Sequence, residues 1–166
     1  DSGAAGGRGC RITMKVMDWL FRREVLTDQE IDLVKVMEVK KGAGRNDVPS
    51  VVFEIREHGK HTAVGRCDLR MGMNEELYYA GQIGYTVYPM YRGHHYALKA
   101  CRLLFQLAKQ KYGMDKLIIT CNPDNWPSRR TLEELNGTLK AIVDVPKDHY
   151  LYQYGDVQKC IFEYQL

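Results

Sequence analysis

Nowhere along this chain do apolar residues run together for the ~20 positions that cross a bilayer. Its opening stretch, DSGAAGGRGCRIT, carries no hydrophobic core of a secretory signal. No membrane partner is expected, and the expected location is the cytoplasm. Cysteine is sparse: Cys10, Cys67, Cys101, Cys121 and Cys160 are scattered, odd in number and never spaced as C-x-x-C. That argues against a disulfide framework and against a zinc ribbon, and leaves reduced core residues as the expectation. The histidines form no H-E-x-x-H pattern, and His58 and His61 flank Gly59 in an apparent turn, so no metal is expected. A Walker lysine and a G-x-G-x-x-G loop are both missing, which disfavours the common nucleotide cradles. Strong charge is missing too. A formal net charge of +3 is far from the basicity of a nucleic-acid binder, although a weak positive field suits an anionic small ligand.

What remains is an ordinary globular composition, 45% hydrophobic and 27% charged over 166 residues, enough for one domain with a sizeable core. Residues 1–13 begin with a glycine-rich run and read as a flexible leader or expression remnant, and 14–166 as a single domain. From Met14 to Val25, residues Val16, Met17, Leu20 and Phe21 recur at helical spacing and predict a short amphipathic helix. Glu30 to Val39, Val51 to Arg56, TAVGRCDLRM and QIGYTVY predict strands. The segments KKGAGRND, EHGKH and GMNEELYYAG between them read as loops and a turn.

A longer helix is predicted over about His94 to Lys111, with Ala97, Ala100, Cys101, Leu104, Leu107 and Ala108 forming its apolar stripe. KLIITC, from Lys116 to Cys121, is a nearly continuous apolar run and predicts a strand buried on both faces. A helical crossover of this length predicts that it pairs parallel to QIGYTVY. A second helix is expected from about Pro127 to Leu135, ended by Asn136-Gly137, followed by strands at TLKAIVDV and QKCIFEYQL joined by PKDHYLYQYGD. The expected class is α/β (α+β), with a mixed, mostly antiparallel central sheet of about six to seven strands and one central β-α-β crossover.

The stretch YPMYRGHHYALKACRLL puts Arg92, Gly93, His94 and His95 at the mouth of the long helix. A helix N-terminus exposes up to about four unpaired N–H groups and roughly half a positive charge, so it attracts phosphate. Gly93 permits a bend and a close approach, small Ala97 keeps the first turn tight, and Arg92 adds a charged donor. Taken alone, the same residues also make an ordinary strand-to-helix turn with a solvated arginine. Adjacent histidines do not share a helix face, which argues against joint metal coordination.

Arg92-Gly93-His94-His95-Tyr96-Ala97 resembles the Arg/Gln-x-x-Gly-x-Gly/Ala signature between the fourth strand and third helix of the GNAT superfamily of N-acetyltransferases. His95 departs from it, standing where glycine is usual. Its side chain must then point away from the diphosphate, which backbone donation allows if φ is negative. A second segment, NPDNWPSRRTLEELNG, resembles the family's Asn-x-x-Ser entry to the fourth helix, with Asn125 and Ser128 in those places. Read without the family, Asn125 is a helix cap and Ser128 a first-turn residue. The resemblance covers about Glu30 to Leu166.

The resemblance implies a GNAT-like acyl-CoA N-acyltransferase fold and acetyl-CoA (coenzyme A) as cosubstrate, with no metal. The acetyl group would pass to a primary amine, on a small molecule or at an amino-terminus. It implies that Val87, Arg92, Gly93, His94, His95, Tyr96, Ala97, Asn125 and Ser128 bind the cofactor, in a gap where the fourth and fifth strands splay apart. Strands near the C-terminus pair between subunits in such enzymes, so a homodimer is among the expectations. The catalytic residues stay unassigned. Leu132 stands where many members carry an acidic tyrosine, Gly81 and Gln82 stand near the usual basic carboxylate, and Tyr85 and Asp68 are the candidate substitutes. The Met14 to Val25 helix, the loop with Glu75, Glu76, Tyr78 and Tyr79, and the DHYLYQYGD segment are candidates for the acceptor wall, where acidic and aromatic groups suit a cationic amine. The missing tyrosine and carboxylate motivate an alternative, a non-catalytic acyl-CoA-binding sensor or interaction module on the same fold.

Overall fold

The structure, a computed structural model, describes residues 25–44 and 46–166. The leader, Cys10 and all but the last residue of the helix expected over Met14 to Val25 lie outside the described residues. Val25 itself opens a strand.

Five strands form the first sheet in the order β1 (Val25–Thr27), β2 (Ile31–Val39), β3 (Ser50–Glu57), β4 (Ala63–Arg70) and β5 (Ile83–Val87). Each neighbour is antiparallel, as chain-adjacent strands joined by short connections allow. Between β4 and β5 lies α1 (Glu75–Ala80), where the sequence reading expected a loop. The signal was local: the Asn74 side chain accepts from Leu77 N–H, Glu75 and Glu76 sit in the first turn, and Leu77 is fully buried.

Helix α2 (Tyr96–Gln110) starts two residues later than expected and lays Ala100, Cys101, Leu104, Leu107 and Ala108 against Phe53, Ile55 and Leu69 of the sheet. A second sheet holds β6 (Lys116–Cys121), β8 (Gln158–Gln165) and β7 (Thr138–Asp144), again antiparallel, with β8 in the middle. Helix α3 (Trp126–Glu134) lies between β6 and β7, and α4 (Tyr150–Gln153) forms a short turn of helix in the segment before β8. Asn136, rather than Gly137, takes the left-handed conformation after α3, at φ 63°. Leu117, Ile119, Leu132 and Phe162 join the same core as the first sheet. Cys67, Cys101, Cys121 and Cys160 are free and buried, and burial pushes the Cys101 thiol up to about 12, which keeps it unreactive. Among the described residues no helix is long and apolar enough to cross a membrane.

The fold class is the expected one, but among the described residues eight strands form two sheets, and the parallel pairing of β5 with β6 does not form. The reason lies at Gln82, 5% exposed, immediately before β5. Its N–H donates to Ile118 O at 2.7 Å, and its side-chain oxygen accepts from Ile118 N–H at 2.9 Å. Its side-chain nitrogen donates to Gly72 O at 2.7 Å. A side chain therefore takes the bond that a strand neighbour would have made, and the ladder goes no further. The gap beyond is spanned by side chains, with Tyr85 Oη donating to Ser128 Oγ at 3.2 Å.

Gln82→Leu leaves a buried amide N–H and a buried carbonyl without partners, at about 1–3 kcal/mol for each unsatisfied group. Urea unfolding of the variant is expected to show a loss of about 2 kcal/mol or more, and an unchanged midpoint would remove Gln82 from this role.

Candidate active site

Beyond Val87 the chain is held to the sheet by Tyr88 N–H donating to Val64 O at 2.9 Å, then makes a single 3-10 turn over Pro89–Tyr91. Pro89 fixes the entry to that turn. Arg92 folds back so that its Nε donates to Val87 O at 3.0 Å. Gly93 follows at φ +90°, a conformation that suits glycine, and a Cβ there would meet nothing within 4 Å. Backbone conformation alone makes glycine the fitting residue.

His95 caps α2 at φ 59° and ψ 25° and makes no side-chain capping bond. The expectation of a negative φ is therefore corrected. The histidine stands in the left-handed region, which is uncommon for side-chain residues but less so for histidine than for most. The strain costs about 1–2 kcal/mol.

From Gly93 to Leu98 no backbone N–H has a hydrogen-bond partner among the described residues. Six consecutive donors thus stand without a partner among the described residues at the positive end of a helix of 15 residues. The helix start is anchored from below. Tyr96 Oη donates to Glu57 Oε1 at 3.0 Å, Lys60 pairs with Glu57 Oε2 at 2.6 Å, and Lys99 pairs with Glu30. The bond from Lys60, then that from Tyr96, holds the Glu57 carboxyl below its ordinary range.

The residues of this stretch, His94 apart, line a cleft of about 450 Å³. Val87, Arg92, Gly93, His95, Tyr96 and Ala97 line one wall, and Asn125 and Ser128 line the other. His94 is not part of the lining; its ring lies 5.4 Å from that of Tyr96. Asn125 caps α3, its Oδ1 accepting from Ser128 N–H at 3.3 Å, so the cap and the cleft wall are the same residue. Sequence reasoning missed Tyr91, Leu98 and Thr131, which also line the cleft and carry no motif signal.

Of the candidate proton carriers, Tyr85 lies in the cleft and Asp68 does not. Burial raises the Tyr85 phenol well above its ordinary range, partly offset by its bond to Ser128, so the phenol stays protonated. Asp68 pairs with Arg70 at 2.8 Å, and burial raises its carboxyl while Arg70 and Arg66 lower it. Leu132 is fully buried, which places a core side chain where a catalytic phenol would need to stand.

On the far side of the Tyr85–Ser128 bridge lies a second cleft of about 230 Å³, which shares Tyr85, Asn125 and Ser128 with the first. Arg70, Asn122, Lys159 and Tyr150 also line it, whereas Glu75, Glu76, Tyr78 and Tyr79 do not. Of the candidate acceptor-wall segments among the described residues, only DHYLYQYGD reaches it, through Tyr150 and Leu151. A lysine within the apolar run of QKCIFEYQL was the available signal for the rest.

Residues 11–138 match the family model described as the acetyltransferase (GNAT) domain. Among solved structures the chain is similar to a GNAT-family acetyltransferase from Bacillus anthracis, at 20% identity over 69% of this chain and 65% of that one, with a TM-score of 0.55. It is similar to the ribosomal-protein-S5-alanine acetyltransferase from Vibrio fischeri, at 16% identity over 70% and 61% of the two chains, with a TM-score of 0.57. It is also similar to Mycobacterium smegmatis RimJ in complex with CoA-disulfide, at 18% identity over 73% and 55%, with a TM-score of 0.56. Each of these matches spans less than two thirds of the solved chain. Comparison with curated proteins gave no match. The solved structures bear on the fold, and the family model covers most of the sequence, so this chain belongs to the acetyltransferase (GNAT) domain family.

Proposed function

We propose that this protein is an acetyl-CoA-dependent N-acetyltransferase that transfers the acetyl group to a primary amine by direct attack. The observation that carries the reading is the row of N–H groups from Gly93 to Leu98 without partners among the described residues. It suits a diphosphate, because a helix N-terminus supplies both donors and positive potential without needing a particular side chain. When bound, acetyl-CoA supplies an activated thioester. The protein's own task is then to hold it and to place the amine beside it.

Arg92 contributes its remaining guanidinium N–H groups to the anion, since Nε is engaged by Val87 O. Tyr96 to Leu98 present the first turn of α2, while Asn125 and Ser128 form the opposite wall. The Tyr85–Ser128 bridge crosses the gap between the two clefts. Tyr85 is protonated and donates towards Ser128, so this pair is the group placed to return a proton to the departing thiolate. Buried Leu132 supports the second reading, a CoA-binding module without turnover. Purified protein given acetyl-CoA and a panel of primary amines is expected to release free thiol in an amine-dependent way. Binding of acetyl-CoA with no release above background would favour the second reading.

Two substitutions separate backbone from side chain in the cradle. Gly93→Ala forces a Cβ onto a φ of +90°, costs about 1–3 kcal/mol in local strain and is expected to raise the KM for acetyl-CoA. His95→Gly keeps the same backbone and is expected to leave that KM within about two-fold; a large rise would mean that the imidazole itself touches the ligand. Tyr85→Phe is expected to lower kcat by about 10²-fold with little change in the KM for acetyl-CoA. A change confined to KM would reduce Tyr85 to a packing role.

A further inference from the structure

We infer that the second cleft takes an amine whose skeleton also carries an oxyanion, a carboxylate or a phosphate, rather than a polycation or an uncharged amine. This rests on the acetyltransferase reading above for the identity of the other cleft. The cleft begins where Tyr85, Asn125 and Ser128 are common to both cavities, so a group lying in it is next to the gap that the thioester must reach.

Its charged lining residues among the described ones are both cations, Arg70 and Lys159. Their carboxylate partners stand outside the lining: Asp68 holds Arg70 Nε at 2.8 Å and Asp156 holds Lys159 Nζ at 3.2 Å. Arg70 Nη1 is committed to Ala80 O and Gly81 O at 3.2 and 2.9 Å. Nη2 has no hydrogen-bond partner among the described residues. A Cβ at Gly84 would come within 2.5 Å of Asp68 Oδ1 and 3.0 Å of Arg70 Nη2, so glycine there makes room for both members of that pair. Lys159 is 8% exposed, and the one carboxylate recorded beside its ammonium engages one of three N–H donors.

Asn122 supplies the complementary group. Its Nδ2 donates to Asp156 Oδ1 at 2.8 Å, while its Oδ1 is buried with no donor among the described residues. A buried acceptor in that condition lies in a residue of the cleft wall without a donor of its own. Cationic donors for oxygen, one unmatched acceptor for nitrogen and no lining carboxylate describe a zwitterion. A polyamine would place ammonium groups against Arg70 and Lys159 with nothing to offset them.

The test measures thiol release with acetyl-CoA against amino acids, an aminoalkyl phosphate, the corresponding amino-acid amides, spermidine and a short peptide with a free amino-terminus. At least one oxyanion-bearing amine is expected to exceed its uncharged counterpart and spermidine by about ten-fold in kcat/KM, the loss expected for one charge-assisted hydrogen bond. The carboxylate and phosphate arms identify the source. Lys159→Gln and Arg70→Gln are each expected to raise the KM for that amine by about ten-fold and leave the KM for acetyl-CoA unchanged. Should a glutamine variant fail to fold, Arg70→Lys, which keeps the charge and loses the fork, replaces it with the same expected direction.

Calorimetric binding of the favoured amine, lost in Lys159→Gln, reads the cleft without turnover. Failure to bind acetyl-CoA would sink the acetyltransferase reading and leave this binding arm to decide the cleft. Protein that binds acetyl-CoA but prefers spermidine, the amides or the peptide, or acetylates none of the oxyanion amines, overturns the inference alone.

Discussion

Gln82 engages its N–H, its carbonyl and both polar atoms of its side chain at the point where β5 comes up against β6. Its N–H and side-chain oxygen both face Ile118, its side-chain nitrogen reaches Gly72 O, and its carbonyl accepts from Arg70 N–H at 2.8 Å. A buried amide engaged in this way holds two sheets together without a ladder. Had backbone bonds continued from Gln82 to Val87, the space between the strands would have been filled by main chain. Instead β5 is paired only with β4 and β6 only with β8, and the strands facing each other are free to part. Both clefts lie in that parting.

The cradle at the end of β5 depends on a different economy of donors. Two left-handed residues, Gly93 and His95, lie within three positions and break the regular run of backbone bonds before α2 begins. The consequence is a set of N–H groups that no part of the described chain satisfies, in a place where strain and unsatisfied donors would otherwise be selected against. Such a segment keeps its shape only if its surroundings over-determine it. Tyr96 against Glu57 and Lys99 against Glu30 do this by tying the first turn of α2 to the far end of the first sheet.

Much of this was legible in the sequence because the signals were periodic or local. The alternation in TAVGRCDLRM and QIGYTVY gives β4 and β5, the apolar stripe of ALKACRLLFQLA gives α2, and the Arg92-to-Ala97 signature with Asn125 and Ser128 marks two walls that the fold brings face to face. The exceptions are instructive. Helix α1 escaped because six residues are too few for a hydrophobic period, leaving only the Asn74 cap as a sign. The separation of β5 from β6 escaped because it depends on where one glutamine side chain points. The φ of His95 escaped because a motif records residue types and not backbone conformation. The second cleft was the least legible: Arg70, Asn122 and Lys159 come from three strands or strand ends distant in the chain, and no spacing relates them.

The two clefts also differ in what they would ask of evolution. Main-chain donors present the same chemistry whatever side chains surround them, so the row of N–H groups does not depend on histidine or glycine at position 95 as long as the conformation survives. Side chains do the work on the other side, and there burial is the difficulty. An arginine or lysine taken out of water without a partner is costly, and leaving it paired in the cleft itself would occupy its donors. Asp156 resolves this for Lys159 from outside the lining, and Asp68 does so for Arg70 from an adjoining cleft of about 420 Å³ that shares Arg70, Gly84 and Tyr85. The carboxylates near this site are therefore better understood as supports for the cations than as receptors for a cationic amine. Replacing either aspartate would alter the acceptor side by letting a cation move, without touching the row of N–H groups across the Tyr85–Ser128 bridge.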